Sequence, residues 1–385
     1  MPTIRAAATA SAIILTSCVG YSGLFGMPMW VGPVAGALGL SALAVGAIAS
    51  AQISAATLAS FVASRLVRAE RIRKGAAAGL ILIGIANLVS VVVTGAATLL
   101  VARLGSGLGE GLVLAFANAS IASTATADRY FAWSQIGLGL FGLILFAAVP
   151  AMLSHFGANG VFLLVGVAAL VSATLVVYLP TGVQRSGAPI AGASGFRNGT
   201  LWRALSGLAI IFIGCQGAWA FLERAGFAKG FPSARVARYL VVGQLLGLCG
   251  PLLARAVGRR RAWSAGVTLG LAISALAVLS ATQPVPPSLF VLATSVFQLG
   301  TLCIVTSYLT YLALSDDSGR SAAAAPSAIN LGCAIGPVTV GLLWKLGGSA
   351  ITGWAIVFSY AIGLALLLSG DRPRISRKLR RRDRG

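Results

Sequence analysis

Arg103 and Glu110 lie seven residues apart inside an apolar stretch, residues 99–120, that reads LLVARLGSGLGEGLVLAFANAS. On an α-helix that spacing is about 700°, so the two side chains share a face, roughly 10 Å apart along the axis. Placing Arg or Glu at the centre of a bilayer costs about 2.5–3.5 kcal/mol on insertion scales, so such residues face a bundle interior or a watery cavity. The separation is too long for direct neutralisation. Arg103 is a permanent cation, suited to attracting an anion or balancing a carboxylate. Glu110 is the one acidic residue in the middle of an apolar segment, and there it can load and release a proton as access alternates. The plainer readings are a Glu110 that stays protonated and bonded to a neighbouring helix, and an Arg103 satisfied by water or carbonyls near the outer interface.

Other polar residues at helical spacing are candidates for the same pathway. Gln216, Trp219 and Glu223 follow i, i+3, i+7, and Gln298, Thr301 and Tyr308 share a stripe. A buried amide needs partners and an indole can stack on a ligand, which favours Gln216 and Trp219, with Glu223 interfacial. Tyr21, Gln135 and Asn330 are further cavity candidates, and Gln52, Asn87, Asn118 and Gln244 are lone polar residues in apolar segments. Interhelical hydrogen bonding is the alternative for each. Gly105/Gly109 and Gly107/Gly111 are i, i+4 pairs that read as helix contacts. His155, the single histidine, falls at a segment end and reads as a surface residue. The five cysteines show no paired spacing, so neither a disulfide framework nor a metal site is expected. The absence of a GxxxxGK[ST] loop argues against ATP-driven pumping by this chain, and no cofactor or enzymatic centre is expected.

The elements that must position these groups are membrane helices. The chain has 385 residues, 57% hydrophobic and 10% charged, with a mean hydropathy of +0.91, where a soluble domain carries about 25% charged residues. The net charge of +21 resides between the apolar spans, so it encodes topology and not nucleic-acid binding. Twelve spans are expected, near 7–27, 37–63, 76–96, 98–121, 131–152, 159–179, 203–222, 237–257, 263–282, 288–312, 322–344 and 349–369. The run from Met27 to Pro33 (MPMWVGP) is expected to break the first pair, and Gln283–Pro287 (QPVPP) the ninth from the tenth. A short basic start before the first span also resembles a signal peptide; an uncleaved first span is the simpler expectation. With the N-terminus inside, only Arg224, Lys229, Arg235, Arg238 and Lys345 fall outside, and Arg103 lies within a span; all other basic residues fall inside. Both termini are therefore expected in the cytoplasm. The basic tail, RPRISRKLRRRDR, suits anionic lipid headgroups.

An internal repeat divides the chain. A constant shift places Arg68 on Arg255, Arg73 on Arg260 and Lys74 on Arg261, and brings Asp128 close to Asp316. Two six-helix halves with equivalent charged loops are expected: 1–180, a Gly/Ser-rich linker at 181–200, 201–370, and the tail at 371–385.

These features resemble the major facilitator superfamily over essentially the whole chain. Its loop motif between helices two and three, Gly-x-x-x-Asp-Arg-x-Gly-Arg-Arg, is approached after span eight by Gly250-Pro-Leu-Leu-Ala-Arg-Ala-Val-Gly-Arg-Arg260, with Ala254 in place of the Asp. The first copy is degraded, with Ala63, Val67 and Arg71 at the first Gly, the Asp and the second Gly. The resemblance implies gating roles for Arg68, Arg73, Lys74, Arg255, Gly258, Arg259, Arg260, Asp128 and Asp316, without the usual acidic latch. A second motif, Arg-x-x-x-Gly-x-Gly in helix four, is matched by Arg103, Gly107 and Gly109, which implies a place for Arg103 near the coupling or substrate pathway. The Gly-Pro pair of drug/proton antiporters is missing from span five; Gly336-Pro337 lies in span eleven.

The expectation is an all-α membrane protein of two pseudo-symmetric six-helix bundles: a monomeric secondary transporter of a small organic solute, coupled to protons, in the inner membrane. Efflux by proton antiport, a non-transporting sensor or scaffold on the same fold, and a channel are the alternatives. A sensor predicts no flux, and a channel predicts conductance far above transporter turnover.

Overall fold

The computed structural model describes residues 2–124, 127–181, 199–260, 263–315 and 320–369, and every element among them is helical. The helices are α1 (Pro2–Gly20), α2 (Ser22–Ala37), α3 (Ala42–Leu66), α4 (Ile72–Val91), α5 (Ala96–Ala122), α6 (Ala127–Phe156), α7 (Gly160–Thr174), α8 (Gly199–Ala228), α9 (Ser233–Gly247), α10 (Gly250–Arg260), α11 (Trp263–Thr282), α12 (Pro287–Ser315) and α13 (Arg320–Leu368). The expected linker, apart from its first and last two residues, the tail and Asp316 lie outside the described residues, as do the side chains of Asp128, Gln135, Arg259 and Arg260.

Among the described residues, nine helical stretches are long and apolar enough to cross a bilayer, and α1 with α2 adds a tenth crossing as a pair bent by 43°. Two of the nine, at 43 and 45 residues, are long enough to cross twice. Each is interrupted at a glycine in the left-handed region, Gly157 (φ +65°) and Gly348 (φ +69°), a conformation with no steric cost for glycine. Counted as two crossings each, they bring the total to the expected twelve.

Two segments differ from expectation. The Met27–Pro33 run is helical: α2 continues through Pro28 and Pro33 to Ala37, and the chain breaks earlier, at Tyr21. Proline removes one backbone bond per site, and inside a membrane bundle neighbouring helices compensate for it, so the sequence breaker of a soluble protein is tolerated here. Span eight, expected unbroken at 237–257, is two helices, α9 ending at Gly247 and α10 starting at Gly250, and α10 runs past the expected end to Arg260. The Gln283–Pro287 break is where expected, with Pro287 as the first residue of α12, a position that needs no N–H partner.

The chain divides into two compact units, residues 1–187 with 230–241, and residues 188–229 with 242–385. In the first, α5 packs along both α3 and α4. Lipid supplies no hydrophobic drive between helices, so close approach depends on small residues. Gly107 and Gly111 face α3, where an added Cβ would collide with the Gln52 and Ala56 carbonyl oxygens. Gly109 faces α4 in a reciprocal crossing: a Cβ on Gly109 would lie 2.7 Å from the Gly79 oxygen, and one on Gly79 would lie 2.8 Å from the Gly109 oxygen. The second unit repeats this crossing between α11 and α12, with Gly270 and Gly300 each 2.9 Å from the other's oxygen by the same construction. The large side chains left exposed, such as Val92, Val101, Ile144 and Leu346, form an apolar exterior that suits lipid.

Candidate functional site

The packing of α5 against α3 and α4 carries Arg103, Ser106 and Glu110 on one buried face, at i, i+3 and i+7. Arg103 is 2% exposed and Glu110 is 4% exposed. No ion pair joins them. Arg103 instead donates to Asn87 Oδ1 through both terminal nitrogens (3.2 and 3.1 Å), to Ser90 Oγ (2.6 Å) and to the Ala86 carbonyl (3.3 Å), all on α4. Its guanidinium lies over the Phe162 ring, 4.3 Å from the centroid, and Trp30 packs against the same ring with centroids 5.7 Å apart. Planar stacking and forked donation are geometries that lysine does not reproduce.

From Asn87 the network continues to the carboxylate. Asn87 Nδ2 donates to Ser106 Oγ (3.2 Å), and Ser106 Oγ donates to Glu110 Oε1 (2.9 Å). Gln52 Nε2 on α3 donates to the same oxygen at 2.8 Å. The result is one chain of hydrogen bonds, Arg103–Asn87–Ser106–Glu110–Gln52, across three helices. Gly23 on α2 closes the site, because a Cβ there would collide with Gln52 Nε2 and Glu110 Oε2. Beside the network is a small cavity lined by Ser22, Trp30, Gln52, Arg103, Glu110 and Phe162 among others, with room for about one water molecule. Buried and charged, the arrangement can hold or release a proton on Glu110 against a fixed positive charge.

The structure places the other candidates as follows. Gln216, Trp219 and Glu223 are buried on α8, so Glu223, expected at the interface, is not exposed. Trp219 stacks on Phe297 of α12, with centroids 6.2 Å apart and planes 9° apart. Gln298 of α12 donates to Gln244 Oε1 at 3.0 Å. Tyr308 is fully buried and its hydroxyl donates to the Ala204 carbonyl at 2.6 Å, a tether between α12 and α8. Tyr21 is half-buried at the bend between α1 and α2, and Asn330 is exposed on α13. Gln135 belongs to α6, its side chain lying outside the described residues. Of the basic positions, Arg68, Lys74 and Arg255 are exposed, and Arg73 Nε donates to the Leu179 carbonyl at 3.0 Å. Gly258 is buried, and a Cβ there would press on the Trp263 ring at 2.6 Å. His155 is exposed.

Sequence reasoning missed Ser106 and Ser90, although Ser106 stands on the Arg103–Glu110 stripe and Ser90 is three residues beyond Asn87. Trp30 and Phe162 carried no sequence signal, since their relevance comes from helices far apart in the chain.

The family profile described as Major Facilitator Superfamily matches residues 12–337. No curated protein matches the chain by sequence. Among solved structures, the nucleoside transporter NupG is similar with 14% identity and a TM-score of 0.75, covering 95% of this chain and 98% of its own. A variant of the peptide transporter POT is similar at 16% identity with a TM-score of 0.73, covering 96% of this chain and 95% of its own. A bacterial homolog of the human lysosomal transporter Spinster, inward-facing, is similar at 15% identity with a TM-score of 0.67, covering 95% of each chain. At these identities the likeness speaks for the fold, and the profile match over most of the length speaks for descent: the chain belongs to the Major Facilitator Superfamily.

Proposed function

We propose that the chain is a secondary active transporter that moves a small organic solute by alternating access, with Glu110 as its proton-carrying group and Arg103 as the fixed counter-charge. The observation that carries this reading is the buried hydrogen-bond chain from Arg103 to Glu110. A carboxylate held 2.9 and 2.8 Å from two neutral donors, with its balancing cation one relay away, can change protonation without breaking a salt bridge. The adjoining cavity has room for about one water molecule, too little for an organic solute, so Arg103 and Glu110 handle charge while the solute is bound elsewhere. Nucleosides and peptides, named for two similar structures, exemplify the solute class. The halves 1–180 and 201–370 are the two bundles of this alternating-access transporter, with both termini on the cytoplasmic face of the inner membrane and the basic tail against anionic headgroups.

The test is solute flux in proteoliposomes under an imposed pH gradient, with solutes chosen by a ligand-stabilisation screen at two pH values. Wild-type protein responds to the gradient and Glu110→Gln does not. Full proton-driven flux in Glu110→Gln removes the proton role, and absence of flux for every stabilising solute removes the transport reading in favour of a sensor or scaffold.

A further inference from the structure

Four polar atoms around the small cavity of the first unit have no hydrogen-bond partner among the described residues: Ser22 Oγ, Trp30 Nε1, Gln52 Oε1 and Arg103 Nε. Their residues are each at most 2% exposed. An unpaired buried polar group costs about 1–3 kcal/mol, so four around one small space is a large penalty for any fold to leave uncompensated. The set has a definite chemistry. Arg103 Nε and Trp30 Nε1 only donate, Gln52 Oε1 only accepts, and Ser22 does either. Glu110 supplies further acceptor capacity on the same wall. The space fits about one water molecule, and a buried water makes two to four hydrogen bonds.

We infer that this cavity is a single-water site through which Glu110 exchanges its proton: with Glu110 ionised, the water accepts from Arg103 and Trp30, donates to Gln52, and shares its second proton between Glu110 and Ser22. A water satisfies donors and acceptors at once and is small enough for the space. A halide would satisfy Arg103, Trp30 and Ser22 but would face Gln52 Oε1 and the Glu110 carboxylate, both electron-rich. Arg103 and Glu110 are the charged groups that line the cavity; α2, α3, α4 and α7 present only neutral side chains to it.

In the exchange, protonated Glu110 takes the place of Trp30 as a donor to the water; its O–H bond then breaks and its proton joins the water oxygen. A different proton leaves the same water toward bulk solvent when access opens, so the water is regenerated and Glu110 becomes a carboxylate. The neighbouring guanidinium disfavours a lingering hydronium, which makes the water a relay and not a store. The relay role rests on the proposed proton function; the water site itself does not.

The experiment is infrared difference spectroscopy of the full chain in nanodiscs, wild type minus Trp30→Phe and wild type minus Ser22→Ala, at one pH, in ordinary and ¹⁸O-labelled water. A water O–H stretch that shifts with the isotope and is lost or displaced in the variants is the expected result. Serine 22 provides the second reading should the tryptophan variant fold poorly. A difference spectrum with no isotope-sensitive band overturns the site, as do changes that follow replacement of chloride by nitrate and ignore the isotope. Neither solute nor gradient is present, so the outcome is separate from the flux assays. Relay by the water further requires that Trp30→Phe slow proton-driven flux at least several-fold while solute binding is kept; unchanged flux overturns that part.

Discussion

Ser106 stands between Asn87 and Glu110, accepting from Asn87 Nδ2 at 3.2 Å and donating to Glu110 Oε1 at 2.9 Å. Through this one hydroxyl, a cation and a carboxyl group too far apart to touch share a network. The relationship makes the two charges adjustable partners: each can be altered while the other keeps most of its contacts.

Arg103 is the residue whose loss the network tolerates least. Arg103→Ala leaves Asn87 Oδ1 and Ser90 Oγ without their donor and removes the counter-charge of Glu110. The expected loss is about 3–5 kcal/mol, the usual cost of stranding a buried charge. Arg103→Lys keeps the charge but loses the forked bonds and the stacking on Phe162, so it falls between the two. Thermal unfolding in detergent orders the three proteins; a lysine variant as stable as wild type contradicts the geometry.

Alanine substitutions on α5 separate by face. Gly107→Ala and Gly111→Ala drive a methyl group into carbonyl oxygens of α3, and overpacking of this kind costs about 1–3 kcal/mol. At Gly105 the nearest atom to an added Cβ is the Ala86 Cβ at 3.5 Å, ordinary contact, so Gly105→Ala is neutral in melting temperature. Equal effects at all three positions would refute the packing assignment.

Tyr308→Phe removes one buried bond, from the hydroxyl to the Ala204 carbonyl. A net loss of about 1 kcal/mol in stability is expected, with solute affinity unchanged. A large change in affinity at constant stability would instead place Tyr308 among solute contacts.

Lys229, in the turn after α8, donates to the Gln283 carbonyl at 2.5 Å, and Gln283 Nε2 donates to the Ala350 carbonyl at 2.9 Å. Partial burial holds the Lys229 ammonium below its ordinary value of 10.5. The folded protein therefore binds fewer protons at this site than the unfolded chain in the window just under pH 10.5, and stability rises with pH through that window. The effect is small because the side chain is largely solvated. Melting temperature against pH, compared with Lys229→Met, reads it; an identical slope in the variant disproves the assignment.

The spans and their charges were legible because a bilayer admits few solutions, and the twelve crossings follow from apolar length together with the breaks at Gly157 and Gly348. The same solvent misled at Met27–Pro33, where a breaker in water is a helix in a bundle. On α5 the stripe of Arg103 and Glu110 was legible from its period. Its partners were not, because the register that brings Gln52 and Asn87 to it is set between helices by glycine contacts that no single-helix pattern encodes. Trp30 and Phe162 belong to the site through the bend at Tyr21 and the turn at Gly157, both tertiary features.

The paired glycine crossings, Gly79 with Gly109 and Gly270 with Gly300, are separated by one constant offset in sequence. At that offset Asn87, Arg103, Ser106 and Glu110 fall on Val278, Thr294, Phe297 and Thr301. The crossing is thus present in both units and the charged chemistry in one. The molecule carries its own internal control: Gly79→Ala and Gly270→Ala introduce the same methyl group at corresponding helix crossings, one beside the charged network and one without it. The difference between them isolates what the network contributes.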